Sequence, residues 1–110
     1  MNALPIGAAT LDVDARTLAG PCRTVHLDRQ PLRLLARLAE QAGRAVFYEH
    51  LVAALDDRYG RADTKLVQAY LADVRRALHA TGGGGVATTI HGIGVRLDVP
   101  MRGVSPREAA

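Results

Sequence analysis

The spacing of hydrophobic residues changes twice along the chain. Between residues 4 and 27, short apolar pairs alternate with turn formers, as in Leu11-Asp12-Val13-Asp14. This alternation predicts three or four short antiparallel strands. From Asp28 onward the apolar residues recur at helical spacing, and from Val86 β-branched residues return. The order predicts an α+β domain with an N-terminal antiparallel sheet, three helices and a C-terminal β-hairpin.

Three segments have helical periodicity. Helix one is predicted over roughly residues 29–42, with Asp28 as its N-cap and Gly43 after its end. Helix two is predicted over roughly residues 48–56. Helix three, over roughly residues 64–80, carries the strongest pattern, because its apolar residues fall on a single stripe. That stripe consists of Val67, Leu71, Val74 and Leu78.

Glycine and proline mark the ends of the C-terminal elements. The four residues 82–85 are all glycine and cannot sustain a helix against their entropy cost. Residues 86–99 are predicted to form a hairpin around Gly92-Ile93-Gly94. We therefore expect one domain over residues 1–98 and a flexible tail over residues 99–110.

Composition narrows the class of protein. A chain of 110 residues suits one domain, and its net charge of +3 is compatible with a polyanionic partner without requiring one. Cys22 has no second cysteine to pair with, and no Cys/His spacing resembles a zinc site, so no metal or cofactor is expected. The N-terminus lacks the basic start of a signal peptide, and no apolar run reaches membrane-spanning length. A cytoplasmic protein is expected.

Three motifs resemble one family of regulators. Residues 86–97, VATTIHGIGVRL, resemble the wing of OmpR/PhoB-type effector domains, often written I-x-T-V-R-G-x-G-Y-R-[LF]. Residues 43–51, GRAVFYEHL, resemble that family's G-R-V-V-S-R-E-x-L, and residues 74–78, VRRAL, resemble its L-R-[KR]-K-L. The similarity extends in one collinear order over residues 6–98. It implies a winged helix-turn-helix, and we expect the chain to stand without the receiver domain of such regulators.

The resemblance also implies how DNA would be bound. Helix three would enter the major groove, and the hairpin would lie as a wing on the adjacent minor groove. Family positions that reach base edges fall on Ala69, Tyr70 and Asp73, and those that hold phosphate fall on Lys65, Leu66, Ala72 and Arg75. The residues expected at the DNA are Lys65, Gln68, Ala69, Tyr70, Ala72, Asp73, Arg75, Arg76, His91 and Arg96.

Several of these residues have a second interpretation. Asp73 stands where a basic residue is common, so phosphate repels it unless its carboxylate accepts a hydrogen bond from cytosine. His91 replaces the usual wing arginine and is either a titrating minor-groove contact or an exposed turn residue. Tyr70 either contacts DNA or packs at the edge of the core, and Gln68 either contacts adenine or is a solubilising amide. With roughly four to six phosphate contacts, binding is expected to be weak or to depend on oligomerisation, such as tandem binding of two copies.

The arginines of helix one are also open to two interpretations. Arg29, Arg33 and Arg37 recur at helical spacing opposite the apolar stripe, with Arg44 beyond the helix. They form either a solvated face or part of a field directed at phosphates.

Two other functions compete with DNA binding. Catalysis would need converging groups, and the best set, His50 with Asp56 and Asp57, is explained by a helix face and a loop, so no enzyme is predicted. The stronger alternative is a protein-interaction module that engages RNA polymerase, another regulator or a second copy, with weak or no DNA binding. The sequence predicts a sequence-specific double-stranded DNA-binding transcriptional regulator, nucleoid-associated when bound.

Overall fold

A computed structural model describes residues 3–57 and 60–99, and it begins with a four-stranded antiparallel meander. Each strand pairs with the next along the chain. The alternation of side chains buries Ile6, Leu11 and Leu18 against the helices and leaves the polar neighbours exposed. The predicted N-terminal sheet is confirmed. Its strands are β1 (Ala3–Ile6), β2 (Ala9–Asp12), β3 (Thr17–Ala19) and β4 (Thr24–His26).

The three predicted helices are present. They are α1 (Arg29–Glu40), α2 (Tyr48–Ala54) and α3 (Thr64–Thr81). The first two end two residues before their predicted ends. Asp28 occupies the N-cap position of α1, but its side chain makes no capping hydrogen bond. In contrast, Asp63 caps α3 by accepting a hydrogen bond from the Leu66 amide at 2.8 Å.

The end of α3 follows from its glycines. Gly82 takes the left-handed conformation, with φ at 69°, and its N–H bonds back to the carbonyl of His79. This is the helix ending that glycine favours, because a Cβ is strained in that region.

A second sheet contains the predicted hairpin and one strand that was not predicted. Strands β6 (Val86–Ile90) and β7 (Gly94–Asp98) form the hairpin, and β5 (Ala45–Phe47) pairs with β7 on its other side. Val46 lies opposite Val95 in this pairing. The segment between α1 and α2 is thereby tied directly to the wing.

One aliphatic core joins the helices and both sheets. Its fully buried members include Leu35 and Leu38 on α1, Leu71 and Val74 on α3, and Val95 on the wing. The apolar stripe predicted for helix three is confirmed as its buried face. Of the predicted tail, only Val99 lies within the described residues, so the tail and the domain boundary stay predictions. Among the helices of the described ranges, none is long and apolar enough to cross a membrane.

Candidate nucleic-acid interface

The face of α3 opposite the core is open to solvent. Its exposed residues are Thr64, Lys65, Gln68, Ala69, Ala72, Arg75, Arg76 and His79. Eight of the eighteen helix residues therefore form a continuous outer surface. Ala69 and Ala72 add little bulk to it, so another molecule can approach the helix closely between its longer side chains.

Arg75 connects this surface to the wing. Its Nε donates to the carbonyl oxygen of Ala87 at 3.0 Å, and its Nη2 donates to Thr89 Oγ1 at 2.7 Å. Both acceptors lie on β6, one on either side of Thr88. Because both hydrogen bonds come from one planar guanidinium, they restrain the position of β6 relative to α3. Arg75 was expected to hold phosphate, and a contact with Thr89 was not expected.

Arg76 has a carboxylate partner on its own helix. Its Nη2 is hydrogen-bonded and ion-paired to Asp73 Oδ1, three residues earlier. The Arg76 side chain remains 71% exposed, so the pair lies at the surface and is of low net strength. The carboxylate that interrupts the expected basic face therefore lies beside a compensating arginine.

Arg96 is similarly engaged on the wing. Its Nε donates to Asp98 Oδ1 at 2.7 Å, while Thr88 Oγ1 donates to Asp98 Oδ2 at 2.8 Å. These hydrogen bonds, that from Arg96 first, lower the pKa of Asp98 below its ordinary value, against a smaller opposing effect of desolvation. The Asp98 carboxylate therefore occupies one edge of a guanidinium that was expected at the DNA.

Lys65 and Gln68 are unengaged. Both are exposed, and within the described part of the chain neither side chain makes a hydrogen bond or an ion pair. Lys65 lies in the first turn of α3, and Gln68 lies one turn along the same surface. Both residues can therefore bind DNA without breaking an internal hydrogen bond.

Tyr70 and His91 occupy different environments. Tyr70 is partly buried and packs against the hydrophobic core, as in the second of its two interpretations. It is two positions after Gln68, which places it on the other side of the helix. His91 is exposed in the turn between β6 and β7. Its role at DNA stays a prediction.

The arginines on α1 make internal contacts. Arg29 pairs with Asp56 at 2.6 Å, Arg33 donates to the carbonyl of Ala54 at 2.7 Å, and Arg37 lies 3.7 Å from Glu40. Two of these contacts join α1 to the end of α2 and the segment that follows it. This favours a structural role over a field directed at phosphates.

The residues considered for catalysis also have structural contacts. Besides Arg29, Asp56 contacts Gln30 through its backbone: its N–H donates to Oε1, and its carbonyl accepts from Nε2, both at 2.9 Å. The Asp57 carboxylate accepts from the amides of Arg61 and Ala62. His50 Nε2 lies 3.8 Å from Glu49 Oε1. No group of three metal-binding side chains occurs within residues 3–57 and 60–99.

The strand meander, the three helices and the two-stranded wing define a winged helix-turn-helix protein. The family model described as "Transcriptional regulatory protein, C terminal" matches residues 22–97. The chain belongs to this family, and the resemblance to OmpR/PhoB-type effector domains is confirmed. A search of curated protein sequences gives no significant match.

Solved structures of similar fold cover nearly the whole described chain. The C-terminal domain of the nisin resistance regulator NsrR has a TM-score of 0.74 at 21% identity, with 89% of this chain and 99% of that chain covered. The DNA-binding domain of Escherichia coli CadC has a TM-score of 0.76 at 16% identity, with 89% and 92% covered. The DNA-binding domain of Klebsiella pneumoniae RstA, in complex with the RstA box, has a TM-score of 0.71 at 18% identity, with 89% and 98% covered. These likenesses establish the fold.

Proposed function

We propose that this protein is a sequence-specific regulator of transcription that binds double-stranded DNA, with α3 in the major groove and the β6–β7 wing on the adjacent minor groove. The observation that carries the proposal is the open, unobstructed face of α3 joined to the wing by Arg75. An α-helix fits the width of the major groove, and a wing held beside it can reach the next groove. The RstA domain, of the same fold, was solved bound to its DNA box.

The side chains divide into two groups by what they must give up to bind DNA. Lys65 and Gln68 can engage phosphate or base directly, while Ala69 and Ala72 let the helix approach. Arg76 and Arg96 must first exchange a carboxylate for a phosphate oxygen. Both are exposed enough, 71% and 40% for the side chains, for this exchange to cost little. His91 contributes at the wing tip, and Tyr70 and Asp73 support the surface from its edge.

A salt titration of binding to random-sequence duplex tests the proposal. With about four phosphate contacts, the logarithm of affinity should fall against the logarithm of salt with a slope on the order of −4. Lys65→Ala should reduce the magnitude of the slope by about one. Arg23→Ala is the matched control, because Arg23 is exposed between β3 and β4 rather than on α3. A salt-independent response would contradict DNA binding.

A second candidate is docking of the wing turn and the adjoining end of β5 on RNA polymerase or another regulator. Phe47 and Ile93 remain 50% and 45% exposed, and the carbonyl of Ile93 accepts a hydrogen bond from the residue after Phe47, at 3.2 Å. Large apolar side chains that are exposed next to each other are common at protein–protein interfaces. Phe47→Ser together with Ile93→Ser should abolish binding to purified RNA polymerase while leaving the salt dependence on DNA unchanged. Sedimentation of the chain alone tests self-association on the same surface.

A further inference from the structure

We infer that α3 selects an A·T base pair at the position facing Gln68, with the adenine contacted by the Gln68 amide. The inference rests on the proposed DNA-binding function and adds the identity of one base. It is carried by the absence of arginine from the turns of α3 around Gln68 and by the unengaged state of Gln68 on the exposed surface.

Guanine is commonly selected in the major groove by an arginine that donates two hydrogen bonds to O6 and N7. Both arginines of α3 lie about two turns beyond Gln68, and both are held by internal contacts. Arg75 donates from Nε and Nη2 to β6, and Arg76 is paired with Asp73. Lys65 remains, but it lies in the first turn, one turn before Gln68. The turns of α3 around Gln68 therefore carry no guanidinium.

Gln68 has the chemistry that matches adenine. Its carboxamide oxygen accepts from adenine N6, while its NH2 group donates to N7, and the two bonds together need both ends of the amide. No internal hydrogen bond holds either end within the described ranges. Of the exposed residues one turn away, Thr64 and Ala72 are too short to cover the amide, and Lys65 makes no hydrogen bond to it.

The residues beside Gln68 admit the base pair. Ala69 and Ala72 are both exposed and carry only methyl groups, so the helix backbone can come close to the floor of the groove. When the helix lies this deep in the groove, the methyl group of Ala69 or Ala72 makes apolar contact with the C5-methyl of thymine, which is the partner of the adenine. Both bases of the pair are then contacted by neighbouring positions of one helix.

Selection of bound duplexes from a random pool, followed by titration of the selected site, tests the inference. Wild-type protein should enrich A·T at one position, and Gln68→Ala should lose that preference by about tenfold while keeping its affinity for random duplex. Gln68→Glu should move the preference to C·G at the same position, because a carboxylate accepts from cytosine N4 and cannot donate to N7. Replacing the adenine by 7-deazaadenine should weaken wild-type binding and leave Gln68→Ala unchanged. Gln41→Ala, an amide deletion at the end of α1, should select the wild-type site.

The outcomes separate the inference from the function it depends on. If the wild type and Gln68→Ala enrich the same base at every position, Gln68 is not the reader, although DNA binding stands. If Gln68→Glu keeps the A·T preference, the hydrogen-bond assignment is overturned in the same way. A chain with no enriched site and no salt dependence overturns both the base assignment and the proposed function. Thermal denaturation of each variant shows that the surface substitutions leave the fold intact.

Discussion

The side chain of Arg75 reaches from α3 to Thr89 on the wing, with 2.7 Å between Nη2 and Oγ1. The second hydrogen bond from Arg75, to the Ala87 carbonyl, ends on the same strand. A helix that contacts one groove and a strand pair that contacts the next must keep a fixed separation, because the grooves of B-DNA do. Arg75 supports this separation from outside the hydrophobic core.

The coupling between Arg75 and Thr89 can be measured with a double-mutant cycle. Arg75→Ala and Thr89→Val should each lower the free energy of unfolding, by about 0.5–1.5 kcal/mol for the hydrogen bond they share. The double variant should lose less than the two single losses together, because either substitution already removes the contact. Urea denaturation of the four proteins checks this expectation. Strict additivity would show that the two side chains do not interact in solution.

Binding to DNA provides a separate expectation for Arg75. Arg75→Ala should weaken binding to all duplexes alike, since neither a wing restraint nor a phosphate contact depends on base sequence. Comparing affinities for the selected site and for a scrambled site measures this. An unchanged affinity would mean that α3 does not dock through this side of its surface.

The two helix N-caps formed by aspartate should respond differently to substitution. Asp63→Ala should cost about 1 kcal/mol, because its carboxylate accepts the Leu66 amide at 2.8 Å. Asp28→Ala should cost much less, since the Asp28 side chain makes no capping bond. The free energies of unfolding from urea denaturation decide between them. Equal losses would show that both carboxylates act through the helix dipole rather than through a hydrogen bond.

Gly94 and Gly43 separate two effects of adding a Cβ, a steric clash in the second sheet and an unfavourable φ. A Cβ on Gly94 would overlap the carbonyl oxygen of Val46 on β5, so Gly94→Ala should cost more than about 2 kcal/mol. A Cβ on Gly43 meets nothing within 4 Å, and its φ of 84° is the only source of strain. Gly43→Ala should therefore cost about 1 kcal/mol. Thermal denaturation compares the two, and a smaller loss at Gly94 would contradict the close pairing of β5 with β7.

The Asp98 carboxylate should make a small contribution to stability that depends on pH. Hydrogen bonds from Arg96 and Thr88 lower its pKa in the folded state relative to the unfolded chain. The ionised form therefore favours folding, and this contribution is present above the unfolded pKa and lost as the pH falls through the folded one. Asp98→Asn should be less stable than wild type near neutrality and should approach it in acid. Denaturation at several pH values measures the difference, and parallel curves would contradict the assignment.

The same substitution should strengthen nonspecific DNA binding. Asp98→Asn removes a negative charge beside Arg96 and weakens the hydrogen bond from Nε, which can then be exchanged for one to a phosphate oxygen. The salt slope on random duplex should then steepen by about one unit. Thr88→Val removes the other hydrogen bond to Asp98 without changing charge and is the control. A slope that does not change would place Arg96 away from the phosphates.

The regular elements were predictable because their patterns are local. The stripe through Val67, Leu71 and Val74 determines which face of α3 is buried, and the glycine run determines where the helix ends. Strand β5 was missed because three residues show too little alternation, and its partner β7 lies far along the sequence. The predicted capping by Asp28 was wrong about the side chain, since an N-cap residue type does not guarantee the bond.

The partner of Arg75 could not be predicted, for a different reason. Arg75 meets Thr89 only once α3 and β6 have packed, and the fourteen-residue separation has no local signature. Asp73 and Arg76 are three positions apart on a helix, a spacing that does favour an ion pair and could have been recognised. The orientation of Tyr70 toward the core likewise follows from its position two residues from Gln68 on a helix whose buried stripe was already known.

The pairing of β5 with β7 imposes an order on folding. In the N-terminal meander, each strand pairs with the next strand in the sequence, so that sheet closes over short loops. Strand β5 can pair only after α2, α3 and β6 have been synthesised, because its partner β7 follows them in the chain. A contact of such long range is slow to form and comes late. A chain that ends before β7 cannot form the second sheet, because β5 and β6 both pair with β7 and not with each other.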